Sequence, residues 1–184
     1  MMAYYYFDFR DIKKQDRNGL LTSLLSQLSA QSDTCYEVLF QLYSDHDGGG
    51  RRPTSSSLTR CMKDMLGSPG QGTIYIIIDA LDECPDISGV QSAREQVLNL
   101  IDALVKLNLP NVHTCVASRP EVHIRHALEP LKPLQISLHD QDGQKRDIIE
   151  YIKSVIHSDR TMKNWREEDK QLVINTLSDK ADGM

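Results

Sequence analysis

The chain has 184 residues, 40% hydrophobic and 26% charged, an ordinary balance for one globular domain with a sizeable core. A net charge of −5 and a pI near 5.6 give no electrostatic reason to bind nucleic acid or an anionic membrane. The longest apolar run, Ile74 to Ile78, is too short to cross a bilayer, and "MMAYYYFDFRDIKK" lacks the layout of a signal peptide, so a cytoplasmic protein is expected.

The aromatic segment 3–9, "AYYYFDF", reads as a strand buried on both faces. "NGLLTSLLSQLSAQ" then places Leu20, Leu21, Leu24, Leu25 and Leu28 on one helical stripe, with Asn18 as the expected N-cap. A second helix is expected over 33–43. "SDHDGGGRRPTSSS" gathers Gly, Ser, Pro and charges into an exposed loop, where Arg51 and Arg52 read as solvated side chains. "SLTRCMKDML" spaces Leu58, Met62, Met65 and Leu66 as a helix does.

Residues 73–79 form the next expected strand, five apolar residues running into Asp79, with Asp82 and Glu83 just beyond. Val97, Leu98, Ile101, Leu104 and Val105 mark another amphipathic helix. "NVHTCVAS", expected as a strand over 112–118, closes at "RPE". A short strand is expected at 133–138, "PLQISL", followed by a helix marked by Ile148, Ile149, Ile152, Val155 and Ile156 and by a last helix over 166–178. Cys35, Cys61, Cys84 and Cys115 are too widely spaced for a zinc site or a disulfide scaffold and read as reduced thiols. His123 and His126 read as surface residues.

Near-continuous apolar strands alternating with helices predict an α/β fold, a parallel sheet with helices on both faces. Ligands of such sheets bind beyond the C-terminal strand ends, where Asp79, Ser118 and Arg119 all fall. Three acids within five residues repel one another, and a divalent cation such as Mg²⁺ would relieve that repulsion, held with waters and a substrate phosphate.

Taken together, "IYIIIDALDECP" and "VHTCVASRPE" resemble the Walker B and sensor-1 segments of the NACHT-type nucleotide-binding domain. More narrowly they resemble its nephrocystin-like version, common in large fungal signalling proteins of the signal-transducing (STAND) branch of P-loop NTPases. "AYYYFDFRDIKKQDRNGLLTSLLSQL" resembles the family segment after the P-loop helix, and "LSDKADGM" the stretch that runs on as "ADGMFRWA" in the family. The resemblance implies that Asp79 holds Mg²⁺ through water and that Asp82, or else Glu83, orients the attacking water. It places Ser118 and Arg119 at the γ-phosphate of ATP or GTP. Acids for the metal and a cation for the phosphate are what phosphoryl transfer requires.

The family's Walker A loop is not found: no glycine in the sequence is followed by lysine. In the family that loop and its strand precede "AYYYFDF", the strand lying between the sensor-1 strand and "PLQISL". The resemblance therefore implies an internal fragment or truncated gene product, P-loop NTPase-like but lacking its first strand and P-loop, with unpaired strand edges and one helix fewer over a face. It divides into a partial core, 1–139, and a truncated helical continuation, 140–184. Neither Mg²⁺ nor nucleotide is expected to bind this chain alone, and nucleotide would be a partner only where a P-loop is supplied. The alternative is a non-catalytic interaction or oligomerisation module, with self-association or protein partners in place of nucleotide. Receiver domains and haloacid-dehalogenase phosphatases also place an Asp at a strand tip. The first need a late-strand lysine that "PLQISL" lacks, even with Asp8 available as a second acid, and the second need Asp-x-Asp where Asp79 is followed by Ala-Leu-Asp.

Overall fold

The computed structural model describes residues 1–86, 92–137, 142–162 and 164–180. They fall into two compact units, Met1–Pro133 and Leu134–Met184.

In the first unit, β1 (Met2–Tyr6), β2 (Ile74–Asp79) and β3 (Val112–Val116) form a parallel sheet in the order β1-β2-β3. Ala3 lies opposite Ile76, and Ile78 opposite Val116. The strands are joined by α1 (Arg17–Ser29), α2 (Asp33–Asp45) and α3 (Ser55–Gly67) between β1 and β2, and by α4 (Ala93–Val105) between β2 and β3. Each helix starts where a short polar side chain can take an orphan amide: Asp16, Ser32, Thr54 and Ser92 accept from Gly19, Cys35, Ser57 and Glu95. Asn18 is therefore not the cap of α1. The helix begins two residues earlier than that cap would place it, at Arg17, and the Asn18 side chain instead accepts a 2.7 Å bond from the Ser55 hydroxyl, tying α1 to α3. After α2, the Tyr43 ring lies so close to Gly49 that a Cβ there would stand 2.8 Å from it, and φ of +90° independently favours glycine. Arg51 pairs with Asp47 at 2.7 Å in this exposed segment.

Among the described residues of the first unit, the helices pack on one face of the sheet, where helices on both faces were expected. Ala3, Tyr5, Ile74, Ile76 and Ile78 pack with the leucines of α1, with Met62 and Met65 of α3, and with Val97 and Ile101 of α4. On the opposite face Met2, Tyr4, Tyr6 and Tyr75 are each roughly half exposed, and the Tyr75 ring stacks on His113 at 5.3 Å. "AYYYFDF" is thus amphipathic rather than buried on both faces. The cause is topological: parallel strands laid down in sequential order with right-handed crossovers put every connecting helix on the same side. Covering the other face requires the strand order to reverse.

The strands are shorter than the apolar runs suggested. β1 ends at Tyr6, although the Phe7 amide still bonds to the Asp79 carbonyl at 3.1 Å, and β3 ends before Ser118. Beyond β3 come α5 (Val122–Leu128), which no strong periodicity announced, and a short turn, Glu129–Leu131. Residues 133–137 carry no strand; Leu138, the last residue of that expected strand, lies outside the described residues. Pro133 has no amide to donate, and no described strand borders the segment.

In the second unit, α6 (Asp142–Ser158) packs against α7 (Glu167–Lys180), burying Ile156 and Ile174. No described helix is long and apolar enough to cross a membrane.

Candidate functional site at the strand tips

The C-terminal ends of the three strands are cross-tied by side chains. Beyond β2, Ala80 adopts a left-handed conformation (φ 52°), and the chain turns tightly through Leu81–Glu83. A non-glycine residue held there carries strain of about 1 kcal/mol, which the surrounding contacts must offset. This turn aims the three carboxylates in different directions, and each has its own donor. Asp79 stays on the exposed side of its strand and accepts from the Ala80 amide at 2.8 Å. Asp82 turns inward to 10% side-chain exposure and accepts from the Arg119 amide at 3.0 Å and the Ser118 hydroxyl at 3.4 Å. The Arg119 guanidinium, 84% exposed, lies 3.5 Å from the same carboxylate. Glu83 reaches the other way and accepts from the Phe9 amide at 3.1 Å. Mutual repulsion among the acids is therefore relieved by separate hydrogen bonds, and no three His, Cys, Asp or Glu side chains converge as a metal site among the described residues.

Beneath this layer sits Arg94, on the first turn of α4 and only 9% exposed. Its guanidinium donates to the carbonyls of Cys84 at 2.9 Å and Asp82 at 2.6 Å, and to the carboxylate of Glu121 just before α5. Asp86 stands 3.8 Å from it and 3.7 Å from His123. One planar cation thus clamps the acidic turn of β2 to the segment following β3, a geometry that suits the five-donor fork of arginine. Sequence reasoning missed this residue. The available signal was its position: Arg94 lies three and four residues before Val97 and Leu98, on the apolar stripe, where a charge must find partners. Glu121 and Asp86 face Arg94, whereas Arg119 faces Asp82.

The loop after β1 is tied in as well. The Gln15 amide donates to the Phe9 carbonyl at 2.6 Å, and the Cys84 thiol donates to the Gln15 carbonyl at 3.4 Å. Burial pushes the Cys84 thiol up to about 12, which favours the protonated form that donates to Gln15. Asp8 is held below the usual carboxylate range by hydrogen bonds from Arg10. Between these tips lies an open cleft of about 390 Å³, lined among others by Phe9, Gln15, Asp82, Glu83, Arg94 and Arg119. Asp79 and Ser118 do not line it. All four cysteines are free, with Cys115 the exposed one.

The described part of the first unit is thus a parallel α/β domain whose polar side chains gather at the carboxyl ends of its strands. Residues 1–119, from the start of β1 to Arg119, match the family model described as Nephrocystin 3, N-terminal, and the chain belongs to that family. No curated protein and no solved structure matches the chain.

Proposed function

We propose that this chain forms part of a nucleotide-binding switch module of the NACHT type, with β2 as a Walker B strand and the end of β3 as a sensor-1 segment, in a cytoplasmic signalling protein. The observation that carries the reading is the pairing of Asp82 at the tip of β2 with the Arg119 amide and guanidinium at the tip of β3. It joins an acid suited to orienting water with a cation suited to meeting phosphate. Family membership across residues 1–119 supports it further.

The described residues fit magnesium and a nucleoside triphosphate in part. Asp79 offers an exposed carboxylate with one oxygen bonded only to the next amide, compatible with holding Mg²⁺ through water. Arg119 is exposed enough to reach a phosphate, with Ser118 beside it. The metal and nucleotide would supply charge neutralisation and the transferable phosphoryl group. Asp82 would orient water once Arg119 has turned from it, with Glu83 the less available acid because Phe9 occupies it. The sequence contains no Gly-Lys pair to cradle the phosphates.

Two linked outcomes are expected. By titration calorimetry the 184-residue chain shows no Mg²⁺-dependent ATP binding in the micromolar range. Grafting a strand, Gly-x-x-x-x-Gly-Lys-Ser/Thr loop and helix ahead of Met1 confers such binding, and Asp79→Asn or Arg119→Ala in the graft weakens it about tenfold. A folded graft that binds no nucleotide would sink the proposal. The second reading, a non-catalytic interaction module, draws on the half-exposed tyrosines of the uncovered sheet face.

A further inference from the structure

We infer that Gln27 and Gln31 act together as a side-chain strand that closes the free edge of β1 against pairing with another extended chain. Backbone groups of Met1 and Phe7 face β2, since the Tyr75 amide bonds to the Met1 carbonyl at 2.9 Å and the Phe7 amide to the Asp79 carbonyl at 3.1 Å. Alternation then turns Met2, Tyr4 and Tyr6 outward, leaving their amides and carbonyls on the sheet border. At two of the three positions a glutamine carboxamide takes both groups. The Met2 amide donates to Gln31 Oε1 at 3.0 Å while Gln31 Nε2 donates to the Met2 carbonyl at 2.7 Å. The Tyr4 amide donates to Gln27 Oε1 at 3.0 Å, and Gln27 Nε2 donates to the Tyr4 carbonyl at 2.7 Å.

A primary carboxamide presents an acceptor oxygen and a syn N–H donor on the same side, so it can take the amide and the carbonyl that one strand residue turns outward, as an opposing strand residue would. The spacing allows two in succession. Gln27 stands on the last turn of α1 and Gln31 two residues past its end, where the Gln31 amide still bonds to the Leu28 carbonyl at 3.1 Å, and together they serve alternate strand residues about 6.6 Å apart. Gln27 meets Tyr4 and Gln31 meets Met2, so the α1 end of the chain runs opposite to β1, as a helix returning from a parallel strand must. Further bonds hold the amides in place: Gln27 Nε2 also reaches the Ser23 hydroxyl at 3.0 Å, and Gln31 Nε2 the Gln27 carbonyl at 2.8 Å. An unprotected sheet border is a template for aggregation, and these side chains occupy it. β3 likewise pairs with β2 alone among the described strands.

The test is residue-specific amide exchange followed by NMR on the full chain. Gln27→Ala should accelerate exchange at Tyr4 by about tenfold while leaving Met2 unchanged, and Gln31→Ala should do the reverse. A general loss of stability would instead accelerate the core amides of β2 as well, and that result, or no change at either site, would overturn the inference. The double variant should self-associate at least about tenfold more tightly than the parent in sedimentation experiments. Association equal to that of the parent would overturn it equally.

Discussion

Arg94 shows how much a single side chain can organise. Its guanidinium joins two carbonyls of the β2 turn to Glu121, so removing it orphans several acceptors at once. Arg94→Met should lower unfolding free energy by about 2–3 kcal/mol, read from urea denaturation. Arg94→Lys keeps the charge but cannot span three partners, and should recover less than half of that loss. A lysine variant as stable as the parent would mean that charge, not the planar fork, holds the turn. The sequence placed Asp79, Asp82, Glu83, Ser118 and Arg119 at one sheet rim, and the structure puts Asp82, Glu83 and Arg119 around one cleft. It could not say which acid takes which donor. That choice depends on the left-handed turn at Ala80, which ordinary alanine codes do not announce.

At the level of elements, the apolar stripes of α1, α3 and α4 were plain in the sequence because leucines and methionines repeat at helical spacing. Ends were harder to read, since two neighbouring residues can both serve as caps. Asp16, not Asn18, closes α1, accepting from the Gly19 amide at 2.6 Å. Asp16→Ala should therefore cost about 1 kcal/mol by thermal or urea unfolding, and Asn18→Ala should lose only its link to Ser55 and cost less. Equal costs would contradict that assignment. The short helix α5 and the strandless segment 133–137 escaped for opposite reasons. The first has a single buried residue, Ile124, and so almost no periodic signal. The second has β-branched and apolar residues but no neighbouring strand among those described to complete its bonds.

For the first unit as a whole, titration links the core to pH. Burial holds Cys61 up to about 11, and Cys84 and Tyr5 up to about 12, against ordinary values of 9.0 for the thiols and 10.0 for the phenol. All three are raised, so their contribution is fully present below pH 9.0 and is lost as pH climbs toward the folded-state values. The unfolded chain sheds these protons first. Stability should fall between about pH 9 and 12 with a slope of up to about 1.4 kcal/mol per pH unit for each group. Urea midpoints at pH 8, 9 and 10 should show this decline, and the Cys61→Ala/Cys84→Ala variant should flatten it. A parent protein indifferent to pH across that range would refute the linkage. The same core explains what the sequence revealed and hid about architecture. Parallel pairing followed from the apolar runs, but the side on which the helices fall depends on the order of the strands, which no local pattern encodes.

Helix α1 runs out at Ser29, so the seam on β1 is stitched from two kinds of backbone: Gln27 from the last helical turn and Gln31 from the turn after it, where its own amide is held by the Leu28 carbonyl at 3.1 Å. A border of five residues needs no more than this, and a longer one would have no further helix beside it to draw on.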